Sequence, residues 1–242
     1  MKPTLTYTVF TDFDATITRE DIGDNLFREF GRYDECMNTY QRFRAGELDA
    51  RECWRMNLAT LRRECTPETL LAYVDGVEVD SGFRGFVDFC RGLKIPVTVV
   101  SDGFDLYIRR VLEREGLVDL PVFSNRLTYS TEGRFEPVFP HTDAECLACA
   151  NCKRNHVLTR SSDTEVIVYI GDGHSDCCPA RFADIVFAKH ALLKFCEREN
   201  ITYHRFETYR DILRTFRHMV ETSAPRKRRT AEMARNDIFM QG

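Results

Sequence analysis

Four short, almost purely apolar or β-branched runs constrain this chain most: Tyr7–Thr11, Ile95–Val100, Val166–Ile170 and Ile185–Ala188. Runs of that length without polar alternation mark strands buried on both faces. The segments between them carry helical spacing instead. Ile22, Leu26, Phe27 and Phe30 share one helical face, and Gly31 is a natural stop. Tyr40 with Phe43, then Trp54 with Leu58 and Leu61, continue the pattern. Thr66-Pro67-Glu68 reads as a capped helix start with proline in the first turn. Phe83, Phe86, Val87 and Cys90 predict another amphipathic helix, and Leu106, Ile108, Val111 and Leu112 one more over 104–116. Val122-Phe123 opens a strand, and residues 127–129 and 134–138 flank a Ser-Thr-Glu-Gly turn, which predicts a hairpin. Strands alternating with helices predict an α/β fold: a mostly parallel sheet with helices on both faces.

A chain of 242 residues suffices for one such domain with a smaller insert. A net charge of −4 argues against general nucleic-acid binding. No apolar stretch approaches the roughly 18 residues of a membrane span. The N-terminus runs straight into the first strand without the pattern of a signal peptide, so a cytoplasmic location is expected. Seven of the ten cysteines are scattered through periodic segments and read as small buried hydrophobes in a reducing compartment. The stretch after Ser223 contains Pro225-Arg226-Lys227-Arg228-Arg229 and little periodicity, so 223–242 reads as a disordered tail.

Chemistry gathers where three of the strands end, the edge at which open parallel sheets bind ligands. Asp12-Phe13-Asp14-Ala15-Thr16 follows the first strand, Ser101-Asp102-Gly103 the second and Gly171-Asp172-Gly173-His174-Ser175-Asp176 the third, with Lys153 upstream of the third. Of two carboxylates two residues apart, one can act as nucleophile and the other can handle protons. A carboxylate attacking a phosphate dianion needs a hard cation between them, and oxygen ligands from Asp12 and Asp172 suit Mg²⁺. Thr16, Ser101 and the backbone amides of Asp102 and Gly103 can hold phosphate oxygens, and Lys153 adds positive charge.

The set resembles the haloacid dehalogenase superfamily. Asp12, Asp14 and Thr16 match its first motif, Ser101 the second, Lys153 the third, and Asp172 with Asp176 the acidic fourth. The resemblance implies a Rossmann-like three-layer core and phosphate-ester hydrolysis through an aspartyl-phosphate. It implies Asp12 as nucleophile and Asp14 as general acid and base. Mg²⁺ would be bound by Asp12, the Asp14 carbonyl and Asp172, and Asp176 would bind a metal water or brace the site. Ala15 stands where that superfamily often has glycine. The insert after the first motif is similar to that of the phosphoserine-phosphatase-like branch, which implies a core of 1–18 and 83–222 and a helical cap of 19–82. Within the branch, Ser101-Asp102-Gly103-Phe104-Asp105, the cysteine-rich run into Lys153 and Phe187-Ala188-Lys189 are similar to the 2-hydroxy-3-keto-5-methylthiopentenyl-1-phosphate phosphatases of methionine salvage. Phosphoserine and phosphocholine or phosphoethanolamine phosphatases are the alternatives. A catalytically silent phosphate-binding module is the rival of another class.

A cap implies a small phosphorylated metabolite as partner, since closure excludes water and polymers. The chain is expected to act as a monomer or homodimer, without nucleic acid or membrane. Glu20, Asp21 and Asn25 follow the first motif and either reach the substrate or cap a helix. Cys146, Cys149 and Cys152, with His141 and His156 nearby, offer either a structural Zn²⁺ site or a reduced, occasionally oxidised, loop that positions Lys153.

Overall fold

The computed structural model describes residues 5–144, 146 and 148–241. In chain order the elements are β1 (Thr6–Thr11), α1 (Ile22–Phe30), α2 (Tyr33–Arg44), α3 (Ala50–Leu58), α4 (Pro67–Asp75), α5 (Phe83–Gly92), β2 (Val97–Phe104) and α6 (Asp105–Arg114). There follow β3 (Val122–Tyr129), β4 (Phe135–Val138), α7 (Lys153–Thr159), β5 (Glu165–Gly171), α8 (Cys177–Ala180), β6 (Ile185–Ala188), α9 (His190–Arg198), β7 (His204–Arg205), α10 (Tyr209–Thr222) and α11 (Arg229–Gln241). Among the described residues no helix is long and apolar enough to cross a membrane.

The strands form one sheet in the order β4-β3-β2-β1-β5-β6-β7, parallel except for the β3–β4 hairpin. Val9 of β1 lies opposite Val97 of β2 on one side and Val168 of β5 on the other. The chain winds outward from β1 through β2 and β3, then crosses back to β5, so the winding direction reverses at β1. Strand ends diverge at such a reversal and leave a crevice.

The apolar runs are buried on both faces because alternate side chains enter different cores. Val9, Val97, Val99, Val166, Val168 and Ile170 join one cluster, which Phe83 and Phe86 of α5 and Ile212 and Phe216 of α10 complete. Phe10, Val100, Ile167 and Tyr169 point the other way, toward Val157 of α7 and Leu192 and Phe195 of α9.

Residues between Thr18 and Val79 leave the sheet and return through a narrow neck. Thr18 and Val79 form an antiparallel bridge, the Arg19 amide donates to the Glu78 carbonyl at 3.0 Å, and the Asp80 amide donates to the Ile17 carbonyl at 2.9 Å. Local capping sets the helices of this insert: Asp21 accepts from the Asp24 amide at 2.9 Å to start α1, and Asp49 and Glu52 form a reciprocal capping box on α3. Arg110 of α6 clamps Asp75 at the end of α4 with two bonds of 2.7 and 2.8 Å.

The C-terminal stretch departs from expectation. Residues 229–241 are helical rather than disordered. Ala231, Ala234, Arg235 and Ile238 fall on one face, with Ala231 and Arg235 buried and Ala234 and Ile238 packed on the second core. The anchor is electrostatic. Arg235 Nη2 lies 3.0 Å from Asp184 Oδ1, and Arg228 Nη2 donates to the Ala180 carbonyl at 2.8 Å. The apolar part of that face is short, Ala231, Ala234 and Ile238, with the charged Arg235 in its middle, so periodicity gives little sign of it.

Candidate active site

The floor of the crevice is a buried charge triplet. Asp12 sits at the end of β1, where its amide donates to the Ile170 carbonyl of β5 at 2.9 Å. Lys153 opens α7, and its Nζ lies 2.7 Å from Asp12 Oδ1 and 2.7 Å from Asp176 Oδ1. All three side chains are buried. Burial works against the lysine's charge, but Asp12 and Asp176 outweigh it and hold the ammonium protonated well above its usual range.

One ammonium faces more than one acid, and the acids divide accordingly. Asp176 accepts from Lys153 and from the Tyr169 hydroxyl at 2.7 Å on one oxygen, and from the amides of Asp172 at 3.0 Å and Gly173 at 2.9 Å on the other. Despite burial, these donors keep its carboxyl below the usual range. Asp12 is shifted the opposite way: burial, then the charge of Asp176, raise it against the pull of Lys153. Burial and Asp176 also raise Asp172. Ligand oxygens of Asp12, Asp172 and Asp176 lie within 4.8 Å of one another. An all-oxygen, anionic set of this size fits a small hard cation such as Mg²⁺, whose opposite ligands stand about 4.2 Å apart.

Asp14 lies beside this floor. Its Oδ1 accepts from the Ile22 amide at 3.0 Å and its Oδ2 from the Tyr107 hydroxyl at 2.9 Å. Burial, and then Asp21, push its carboxyl up to about 8. The turn that follows is tight: Ala15 has φ 51°, a left-handed conformation that costs a non-glycine residue roughly 1 kcal/mol. At the end of β2, Ser101 Oγ accepts from the Gly103 amide at 3.0 Å.

Other candidates fall differently. Thr16 is buried, and its hydroxyl donates to Asp172 Oδ1 at 3.1 Å. It therefore orients an acid instead of facing a phosphate. Of the cap residues, Asp21 lines the cleft, whereas Glu20 points to solvent and takes the Asn25 amide at 2.7 Å. The helix-start cap is Asp21 itself, and Glu20 is held by the Asn25 side chain one turn away. Asp102 reaches the cleft wall, yet its Oδ1 accepts the amides of Ala150 at 2.9 Å and Asn151 at 2.7 Å. It pins the loop that delivers Lys153.

Asn151, Tyr107 and Tyr169 were not singled out from sequence. Asn151 ties that loop to the sheet through the carbonyls of Ser101 at 2.6 Å and Phe123 at 2.8 Å. Its position two residues before Lys153 was the available signal. The tyrosines lie in apolar periodic segments, where a ring reads as core.

The cysteine-rich loop assembles no metal site among the described residues. Cys149 donates its thiol to Cys152, which draws Cys152 down to about 6 and pushes Cys149 up. His156 Nε2 is committed to Asn151 Oδ1 at 2.7 Å, and the His141 ring packs edge-on against it. The structure thus does not support the Zn²⁺ reading of Cys146, Cys149 and Cys152: Cys149 is taken up by Cys152, and His156 by Asn151.

His156 also makes stability pH-dependent. Burial, then the positive groups His141 and Arg160, lower it to about 4 from 6.5. Above 6.5 it is neutral folded and unfolded, and contributes nothing. As pH falls from 6.5 toward 4, the unfolded chain takes up a proton that the folded chain refuses, so stability drops by about 1.4 kcal/mol per unit. Urea unfolding between pH 7 and 5 should therefore cost the native protein about 2 kcal/mol more than His156→Gln. Equal losses would exclude this role.

The cleft above the triplet has a volume of about 1240 Å³. Its floor is the edge of the sheet, and its walls come largely from α1, α2 and α3, including Phe27, Arg28, Tyr33, Tyr40, Arg44 and Trp54.

Comparison with known proteins agrees with this geometry. Residues 7–202 match the family described as "Putative Phosphatase". The 2-hydroxy-3-keto-5-methylthiopentenyl-1-phosphate phosphatase of Exiguobacterium sibiricum is 30% identical over 216 residues, covering 86% of this chain and 95% of that one. The polyol phosphate phosphatase PYP1 of Saccharomyces cerevisiae is 27% identical over 228 residues, covering 88% and 93%. A phosphoserine phosphatase solved as a phospho-aspartyl intermediate analogue superposes with a TM-score of 0.65 at 21% identity, over 88% of this chain and 99% of that one, and so shares the fold. The chain belongs to the matched phosphatase family: it is a phosphoric monoester hydrolase of the haloacid dehalogenase type, close to the methionine-salvage phosphatases.

Proposed function

We propose that the protein hydrolyses the phosphate ester of a small oxygenated aliphatic chain, with Asp12 as nucleophile and Asp14 as acid and base. The observation that carries this reading is the Asp12–Lys153–Asp176 triplet beside Asp172 on the cleft floor. Mg²⁺ would be held by the Asp12 and Asp172 carboxylates and the Asp14 backbone carbonyl. Asp176, whose four acceptor directions are used, supports them. When bound, the cation offsets the charge that otherwise keeps an anionic nucleophile from a phosphate.

The protein's own groups do the rest. Asp12 attacks phosphorus in line, and the ester P–O bond breaks. The departing oxygen takes its electron pair and a proton from Asp14. In the second half Asp14, now a carboxylate, draws a proton from water as that water attacks the aspartyl-phosphate. A carboxyl raised to about 8 is protonated at neutral pH, as the first half requires. The Ser101 hydroxyl, which accepts from Gly103, keeps its own proton for a phosphoryl oxygen. Thr16 fixes the carboxylate of Asp172.

The cleft exceeds the roughly 300–1,000 Å³ of most small-ligand sites. The ester therefore occupies its floor, and the cap meets the remainder of the substrate. Both relatives are named for phosphate esters of oxygenated aliphatic chains, which supports the same class here. Ten free cysteines suit a reducing compartment, so we assign the enzyme to the cytoplasm.

The test is kcat/KM with and without Mg²⁺ on a panel: sorbitol 6-phosphate, the methylthiopentenyl ester, phosphoserine, phosphocholine and phosphoethanolamine. At least a tenfold preference, about 1.4 kcal/mol, is expected for one of the first two. A maximum on an amino-alcohol ester would overturn the substrate class. Absence of Mg²⁺-dependent release from every ester would overturn the roles given to Asp12 and Asp14.

A further inference from the structure

Tyr107 lies in the first turn of α6, just past the end of β2, and is fully buried. It is absent from the cleft wall, so it does not meet a substrate. A buried phenol needs a hydrogen-bond partner, and this one donates to Asp14 Oδ2 at 2.9 Å. The other oxygen of Asp14 takes the Ile22 amide at the start of α1. One donor thus comes from the core and the other from the insert, and together they fix the plane of the carboxyl group.

The surroundings are built to hold the phenol there. Its ring packs against Phe13 and Phe104 at centroid distances of 6.1 and 6.5 Å. Gly103 leaves the space for the hydroxyl: a Cβ at that position would collide with Tyr107 Oη and stand 2.7 Å from Asp14 Oδ2. Burial, and then Asp14, raise the phenol well above its usual range, so it remains a donor through the working pH range.

We infer that Tyr107 is the positioning residue for the acid–base step, holding the Asp14 carboxyl in the orientation from which it passes its proton to the leaving oxygen. The inference rests on the acid–base role proposed for Asp14. In the first half-reaction the ester bond breaks, its electron pair stays on the departing oxygen, and the Asp14 proton moves to that oxygen. An alkoxide cannot leave without this proton, whereas a nitrophenolate can. General acid–base catalysis is worth about 10²–10⁴-fold, and misdirecting the acid forfeits part of that.

The experiment compares kcat/KM for glycerol 1-phosphate and 4-nitrophenyl phosphate, with Mg²⁺, in the native enzyme, Tyr107→Phe, Asp14→Asn and the double variant. kcat/KM reports steps through departure of the leaving group. Because both esters are measured on one sample, their ratio is independent of the fraction folded. Tyr107→Phe is expected to lose about ten- to a hundredfold on the alkyl ester, at least tenfold more than on the aryl ester. Added to Asp14→Asn, it should cost the alkyl ester little more, because the group it orients is gone. Equal losses on both esters, or a full additional loss in the Asp14→Asn background, would overturn the inference. If Asp14→Asn distinguishes the esters and Tyr107→Phe does not, this inference alone fails. If Asp14→Asn does not distinguish them, the acid–base reading fails and takes this one with it.

Discussion

Asp12→Asn is expected to lower turnover on the order of 10⁴-fold or more while leaving the fold intact, since loss of a nucleophile removes the covalent route altogether. The amide is nearly isosteric with the carboxylate and accepts the Phe13 amide and the Lys153 ammonium as Asp12 does at 2.7 Å each. Stability should not suffer. Burial and Asp176 already disfavour the charged form of Asp12, so a neutral replacement relieves repulsion. Lys153 keeps Asp176 as its counter-ion. Two measurements check this. Release of 4-nitrophenol with Mg²⁺ should fall to background, and thermal melting should stay within a few degrees of the native protein. Retention of even a tenth of native activity would remove Asp12 from the nucleophile's place.

Lys153→Met should have the largest effect on stability. It removes the cation bonded to two buried carboxylates and leaves Asp176 fully enclosed with hydroxyl and amide donors alone. Breaking a buried ion pair from one side costs about 3–5 kcal/mol. For a chain of this size that is a fall in melting temperature of about 6–20 °C. The comparison variant is Lys189→Met, whose ammonium lies over the Phe206 ring at 4.9 Å, and which should cost far less. Melting curves at pH 7 in metal-free buffer decide between them. Equal shifts for the two variants would mean that the triplet contributes no more than a half-buried lysine without a direct ion pair among the described residues.

What could be read from the sequence followed from chemistry that repeats or stands at an edge. The strands around β1, β2, β5 and β6 are runs of apolar side chains and need no tertiary context to be seen. β7 has only two residues, His204 and Arg205, and carries no pattern of its own. Helix α11 was missed because its hold on the core runs through Arg235 and Asp184. Asp12, Asp172 and Asp176 were legible because charged residues rarely follow buried strands without a reason, and Lys153, which opens α7, was legible only as part of the four-motif set. Thr16 was placed on the phosphate, yet turns inward to Asp172, and no sequence pattern tells which way a hydroxyl rotates. Glu20 and Asp21 are adjacent and alike in type; the local course of α1 sends one to solvent and the other to the cleft. Tyr107 and Tyr169 show the limit most sharply. Each looks like packing material until the fold brings a carboxylate to its hydroxyl.

The bridge between Thr18 and Val79 means that the intervening segment leaves and rejoins the sheet at one neck, and a further tie, Arg110 to Asp75, goes to a helix instead of a strand. Closing a loop whose ends already touch costs entropy that grows only slowly with the loop's length. Evolution can therefore lengthen, shorten or re-sculpt the roof over the reaction centre without disturbing strand pairing beneath it. A lineage with this architecture is free to change its diet while its chemistry stands still.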